Sequence, residues 1–197
     1  MDNRTIAFYS DEAEAYTSRD FEVQSKRLNA FMHRLPAGGS VLELGCGAGQ
    51  DSRVMLDHGF DVTPTDGTSE IAAAATKYLG QPVSVLLFDD LKEVGMFDGV
   101  WANACLLHVP RGHLAGIITR IFTALKPGGV FYASYKAGEA EGRDRFERYF
   151  NYPSTGWLHE TYFAAAPWAE LDIEEDEGGG YDQVPTRWLH ATATKPR

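Results

Sequence analysis

A chain of 197 residues that is 44% apolar and 23% charged has the composition of one soluble globular domain with room for a substantial core. Its formal net charge of −10 makes nucleic acid a poor partner, because a broadly acidic surface repels phosphate backbones. No apolar run approaches the ~20 residues of a membrane span, Met1-Asp2-Asn3-Arg4-Thr5 does not open a signal peptide, and Cys46 and Cys105 lack disulfide or zinc spacing; a cytoplasmic protein with no metal and no membrane partner is expected.

In chain order, residues 1–35 read as helices that precede the first strand, with Tyr9, Tyr16, Phe21 and Phe31 as their aromatics. Ser40–Leu44 reads as a buried strand, 50–58 as a helix stopped by Gly59, and 60–65 as a second strand running up to Asp66. The alanine run 72–75 makes Ser69–Leu79 a strong helix, closed by Gly80. Residues 83–88 carry β-branched side chains and read as a strand, as do Phe97–Ala102 and 130–135. Between the last two, Leu114, Ile117, Ile118, Ile121 and Leu125 fall at helical spacing over 111–125, and Lys126-Pro127-Gly128-Gly129 stops that helix. Residues 137–160 are polar and aromatic, and 168–175 and Thr186–Thr194 read as a strand pair joined across Gly178-Gly179-Gly180. Strand and helix alternating in this way imply an α/β fold, a parallel sheet with helices on both faces, its edge closed by the antiparallel C-terminal pair.

The segment Val41-Leu42-Glu43-Leu44-Gly45-Cys46-Gly47-Ala48-Gly49 carries the chemistry. A buried strand enters a glycine turn that opens a helix, so backbone can approach a ligand where no Cβ intervenes, and the helix N-terminus offers unpaired N–H groups. A nucleotide-like cofactor is expected there. Asp66, at the next strand end, suits the ribose hydroxyls, since a carboxylate has two acceptor oxygens. NAD would use the same acid, but Gly45, Gly47 and Gly49 give G-x-G-x-G, and Gln50 stands where the dinucleotide pattern wants glycine.

That motif resembles the first motif of class I S-adenosylmethionine-dependent methyltransferases. Asp66, Phe97-Asp98-Gly99-Val100-Trp101, Leu106-Leu107-His108-Val109-Pro110 and Leu125-Lys126-Pro127-Gly128-Gly129 resemble later motifs of the same family, in the family's order. Gly49-Gln50-Asp51-Ser52 is loosely similar to tellurite-resistance-type members, with Gln50 where those show arginine. The resemblance implies a Rossmann-like seven-stranded, mostly parallel sheet with an antiparallel last strand. It also implies one domain over 1–197, with a helical lid (1–35), a cofactor-binding core (36–136), a substrate-side insert (137–166) and a C-terminal strand pair (167–197). S-adenosyl-L-methionine is then the cofactor, S-adenosyl-L-homocysteine the product, and a small molecule the acceptor.

By the same resemblance, Gly45, Cys46 and Gly47 bring backbone to the methionine part of the cofactor, and Glu43 sits beneath them. Asp66 and Gly67 take the ribose. Phe88 and Asp89, or Asp90 in place of Asp89, take the adenine, and Asn103 meets the amino-acid end through side chain or backbone. Tyr9, Ala13 and Tyr16 match a Y-x-x-x-A-x-x-Y segment that closes over the cofactor; helix-spaced aromatics are also what core packing uses. The methyl carbon is electrophilic, so a nucleophile held in line at ~3–3.5 Å is the main requirement. A base matters where the nucleophile is protonated, and His108 is the candidate; a pocket-shaping histidine is the other reading. Arg143, Arg145 and Arg148 either hold an anionic substrate or form the solvated face of a charged helix.

Two rivals stand beside the enzyme. One is a silent cofactor sensor. The other is an NAD(P)-dependent oxidoreductase of short-chain type, suggested by Tyr132 and Lys136. That pair falls in an expected strand, where such spacing separates side chains by ~13 Å against ~6 Å on a helix. Neither the acceptor atom nor the oligomeric state follows from the sequence.

Overall fold

The computed structural model describes residues 2–18, 25–179 and 184–197; Phe21 and Gly180 lie outside the described residues. Three helices come first: α1 (Asn3–Asp11), α2 (Ala13–Thr17) and α3 (Ser25–His33). Then follow β1 (Ser40–Leu44), α4 (Gln50–Asp57), β2 (Asp61–Asp66), α5 (Ser69–Leu79), β3 (Ser84–Val85), β4 (Phe97–Ala102), α6 (Arg111–Ala124) and β5 (Leu125–Lys136). A short hairpin, β6 (Gly142–Arg143) and β7 (Tyr149–Phe150), leads to α7 (Thr155–Ala165), and β8 (Glu170–Gly178) and β9 (Thr186–Thr194) complete the fold.

The seven-stranded sheet has the order β3-β2-β1-β4-β5-β9-β8. Strands β1 to β5 pair in parallel, and β9 runs antiparallel between β5 and β8, as the sequence implied for the last strand. Each face buries its own core. Leu42, Leu44, Val100, Phe131 and Tyr135 lie in the core of the face covered by α6 and α7. Val41, Trp101, Val130 and Tyr132 pack with Leu28, Phe31 and Met55 from α3 and α4 on the other. The order reverses beside β1, whose neighbours are β2 and β4. In an open α/β sheet the crevice at the strand carboxyl ends beside such a reversal is where ligands bind.

Four expectations change. Residues 83–88 do not form a full strand: β3 pairs only through Thr65↔Ser84 and Asp66↔Val85, and the chain then enters a 3-10 turn, Phe88–Asp90, that buries Phe88. An outermost strand with exposed Ser84 and Val85 has little to hold it longer. β5 begins at Leu125 instead of 130, because Phe97 pairs with Leu125 before the register shifts and resumes at Gly99↔Val130. The stretch carrying Arg143 and Arg148 is a hairpin and not a charged helix. β8 starts at Glu170, and Trp168 before it is instead a buried core side chain.

Candidate functional site

The glycine turn leaves the carboxyl end of β1. Gly45, Gly47 and Gly49 have φ of +66°, +56° and +90°, a left-handed region that other residues enter at a cost. At Gly45 space forbids a side chain as well, since a Cβ would lie 2.5 Å from the Cβ of Cys105. Gly45→Ala is therefore expected to lower Tm by roughly 5–10 °C and to remove ligand-induced stabilisation, as thermal melts would record. The Cys46 N–H donates to the Thr65 carbonyl (2.8 Å), fixing the turn to β2. Glu43 is buried below the turn and accepts from the Ser52 hydroxyl of α4; burial pushes its carboxyl well above the usual range.

At the end of β2, Asp66 is 8% exposed. One of its oxygens accepts the Thr68 N–H (2.9 Å) and the other the Gly47 N–H (3.1 Å). The Thr68 hydroxyl and the Gly67 N–H also stabilise the carboxylate. Burial outweighs these bonds and raises the carboxyl to about 6.

After β4, Asn103 leads into Ala104, a non-glycine residue with φ of +52°, and then into the 3-10 turn Leu106–His108. His108 is buried. Its Nδ1 faces the Tyr149 carbonyl at 2.6 Å, and a carbonyl only accepts, so Nδ1 carries the proton. Nε2 of the neutral ring then accepts from the Tyr9 hydroxyl at 3.0 Å. Burial depresses the ring to about 3. The Tyr9 hydroxyl also accepts from Arg148 Nη1 (3.2 Å).

These elements line a cleft that is open to solvent. Gly45, Gly47, Asp66 and Gly67 line it from the carboxyl ends of β1 and β2. Phe88 and Ile71 form one part of the wall, and Asn103, Ala104 and His108 another. Tyr9 and Tyr16 reach it from α1 and α2, their rings edge to face at 5.3 Å. The structure thus brings together most of the residues expected from the sequence. Glu43 and Cys46 lie behind the turn, outside this lining, and Asp89 is exposed on the turn that carries Phe88, also outside it. Thr68, Ile71 and Ala104 line the cleft with no sequence signal to mark them. Arg143 and Arg148 are occupied by Asp2 (2.8 Å) and Asp144 (2.6 Å), and Arg145 lies over the Phe146 ring.

One family, described as a methyltransferase domain, matches residues 16–170 of the chain. The chain belongs to the methyltransferase domain family. Malonyl-[acyl-carrier protein] O-methyltransferase of Enterobacter lignolyticus is 29% identical over 136 residues, covering 66% of this chain and 53% of that protein. A ubiquinone biosynthesis O-methyltransferase of Psychrobacter arcticus is 37% identical over 106 residues, covering 48% of this chain and 39% of that one. The chain thus spans about half the length of these curated relatives, or less. In fold, the 1,6-didemethyltoxoflavin-N1-methyltransferase of Burkholderia thailandensis, solved with S-adenosylhomocysteine, superposes with a TM-score of 0.74 at 21% identity, over 98% of this chain and 85% of that one. S-adenosyl-L-methionine is the cofactor of this family, and the methyltransferase domain has residues that fit it: a buried carboxylate at the end of β2 beside a turn kept clear of Cβ atoms. Among its described residues no helix is long and apolar enough to cross a membrane.

Proposed function

We propose that this domain catalyses methyl transfer from S-adenosyl-L-methionine to a small molecule, releasing S-adenosyl-L-homocysteine. The observation that carries the reading is the convergence of the glycine turn, Asp66 and the Tyr9–Tyr16 pair on one cleft. The bound cofactor supplies an electrophilic methyl carbon on a sulfonium. Asp66 accepts the ribose hydroxyls, and Gly67 continues that surface. Gly45 and Gly47 present backbone to the methionine part, with Cys46 and Glu43 bracing them from behind. Phe88 packs on the adenine, and Asp89 or Asp90, both exposed on the turn that carries Phe88, receives its amino group. Asn103 serves through its backbone, because Asp51 (3.2 Å) and Ser134 (2.8 Å) already occupy its side-chain amide. Tyr9 and Tyr16 exclude water from above the turn.

His108 takes a proton through the Tyr9 hydroxyl when the acceptor must lose one, since Nε2 is proton-free and already bonded to that hydroxyl. For such an acceptor, His108→Ala is expected to lower kcat by about a hundredfold with little change in affinity for the cofactor. The wild-type profile should show no break from this ring between pH 5 and 8, because burial holds it at about 3. An unchanged kcat in the variant would remove His108 from proton transfer.

Thermal melts with S-adenosylmethionine, S-adenosylhomocysteine and NAD(H) test the cofactor, because a ligand specific to the native state raises Tm by mass action. Stabilisation by NAD(H) alone would defeat the reading. A methyl-label panel of small oxygen and nitrogen acceptors follows, the two acceptor atoms that the names of the similar proteins print. Binding with no labelled product across the panel favours the silent sensor.

A further inference from the structure

A chain of polar contacts ties the helix after the glycine turn to the end of β4 and to β5, and the function proposed above leaves it unexplained. The Ala104 N–H donates to Ser134 Oγ (2.8 Å). Ser134 Oγ in turn donates to Asn103 Oδ1 (2.8 Å), and Asn103 Nδ2 donates to Asp51 Oδ2 (3.2 Å). Trp101 Nε1 donates to the same Asp51 oxygen (2.8 Å). Every donor points toward one carboxylate, an arrangement in which each bond polarises the next. At its far end stands Ala104, exposed and left-handed at φ +52°, which is a costly conformation for alanine. Asn103 and Ala104 line the cleft, whereas Ser134 and Asp51 do not.

We propose that Ser134 and Asp51 are positioning residues that hold the 103–104 backbone in its left-handed turn, and that this turn is the shape the cofactor requires on the β4 side of the cleft. The proposal rests on the cofactor reading given above. Asp51 sits in the first turn of α4, so the contacts also set the distance between the glycine turn and the β4 end. Losing Ser134 Oγ removes both the partner of the Ala104 N–H and the anchor of the Asn103 amide. Alanine at 104 then relaxes away from positive φ.

Isothermal titration of the full chain with S-adenosylhomocysteine reads the effect without an acceptor. Ser134→Ala is expected to weaken binding about tenfold. Adding Ala104→Gly should restore most of that loss, because glycine occupies the left-handed region without penalty. A merely structural role predicts the opposite for the double variant, since the added glycine loosens the fold further. Asp51→Ala, which frees the Asn103 amide and the Trp101 indole N–H but leaves Ser134 and β5 unaltered, should weaken binding to a similar extent and covers the case in which Ser134→Ala does not fold. Wild-type affinity in folded Ser134→Ala or Asp51→Ala, or no recovery on adding Ala104→Gly, overturns the proposal. If Asp66→Ala loses binding while these variants keep it, only the positioning role falls; if the wild type itself gives no heat, the cofactor reading falls and this one with it.

Discussion

Asp66→Ala is expected to weaken S-adenosylmethionine binding by at least about a hundredfold, the loss of two hydrogen bonds to a charged acceptor. The carboxylate is buried between the Gly47 and Thr68 N–H groups, so water cannot replace it without entering the turn. The same burial makes binding pH-dependent. The free carboxyl titrates at about 6, raised from 3.8, so the ligand-free fold carries a stabilising contribution below pH 3.8 that is lost as pH rises through 6. That contribution is roughly 3 kcal/mol. Ribose hydroxyls prefer the ionised acid, so affinity should climb from pH 5 to 7 and then level. Asp66→Asn keeps one acceptor oxygen and no titration; calorimetry across this range should find its affinity reduced and flat. A wild-type affinity that is flat from pH 5 to 7, or an Asp66→Ala variant that binds normally, would detach the ribose from this residue.

How much of this site the sequence disclosed depends on how local each signal is. β1, α5 and β4 are legible because each is a compact apolar or alanine-rich run, β1 and α5 being ended by a glycine, and the structure keeps those bounds. The glycine turn and Asp66 follow from spacing along consecutive elements. Side chains brought together over long separations are silent. Tyr9 meets His108 across 99 positions, and Asp51 meets Asn103 across 52; neither residue's neighbours in the sequence mark the pairing. Burial of charge is equally silent. Glu43 and Asp51 look like ordinary surface acids beside a turn, yet burial pushes both carboxyls upward. The hairpin at 142–150 was hidden for a related reason. Its polar residues fit a solvated helix, and what makes it a hairpin is a buried ion pair with α1 packed over it.

That ion pair gives the second large expected effect. Arg148 is 1% exposed, and its guanidinium donates to Asp144 Oδ2 from Nε (3.0 Å) and Nη2 (2.6 Å). It also lies over the rings of Phe8 (4.9 Å), Phe146 (5.4 Å) and Phe150 (5.3 Å), which come from α1, the hairpin loop and β7. Removing one partner of a buried pair leaves the other charge desolvated, at a cost of about 3–5 kcal/mol. Arg148→Met fills much of the volume and supplies no charge, so Tm should fall by roughly 6–15 °C. Replacing both, Arg148→Met with Asp144→Asn, should recover part of that fall, because no unpaired carboxylate remains. The consequence reaches the cleft through Tyr9, whose hydroxyl loses its Arg148 donor. The helix itself stays attached by Asp2 to Arg143 (2.8 Å) and by the Tyr149 N–H to Thr5 Oγ1 (2.9 Å). Cofactor affinity should therefore weaken by severalfold, while Asp66→Ala weakens it by at least about a hundredfold with the packing of α1 nearly unchanged. Cofactor titration of Arg148→Met well below its Tm separates the two: full loss of binding would mean that α1 is held by Arg148 alone, and unaltered binding would mean that Tyr9 does not depend on it.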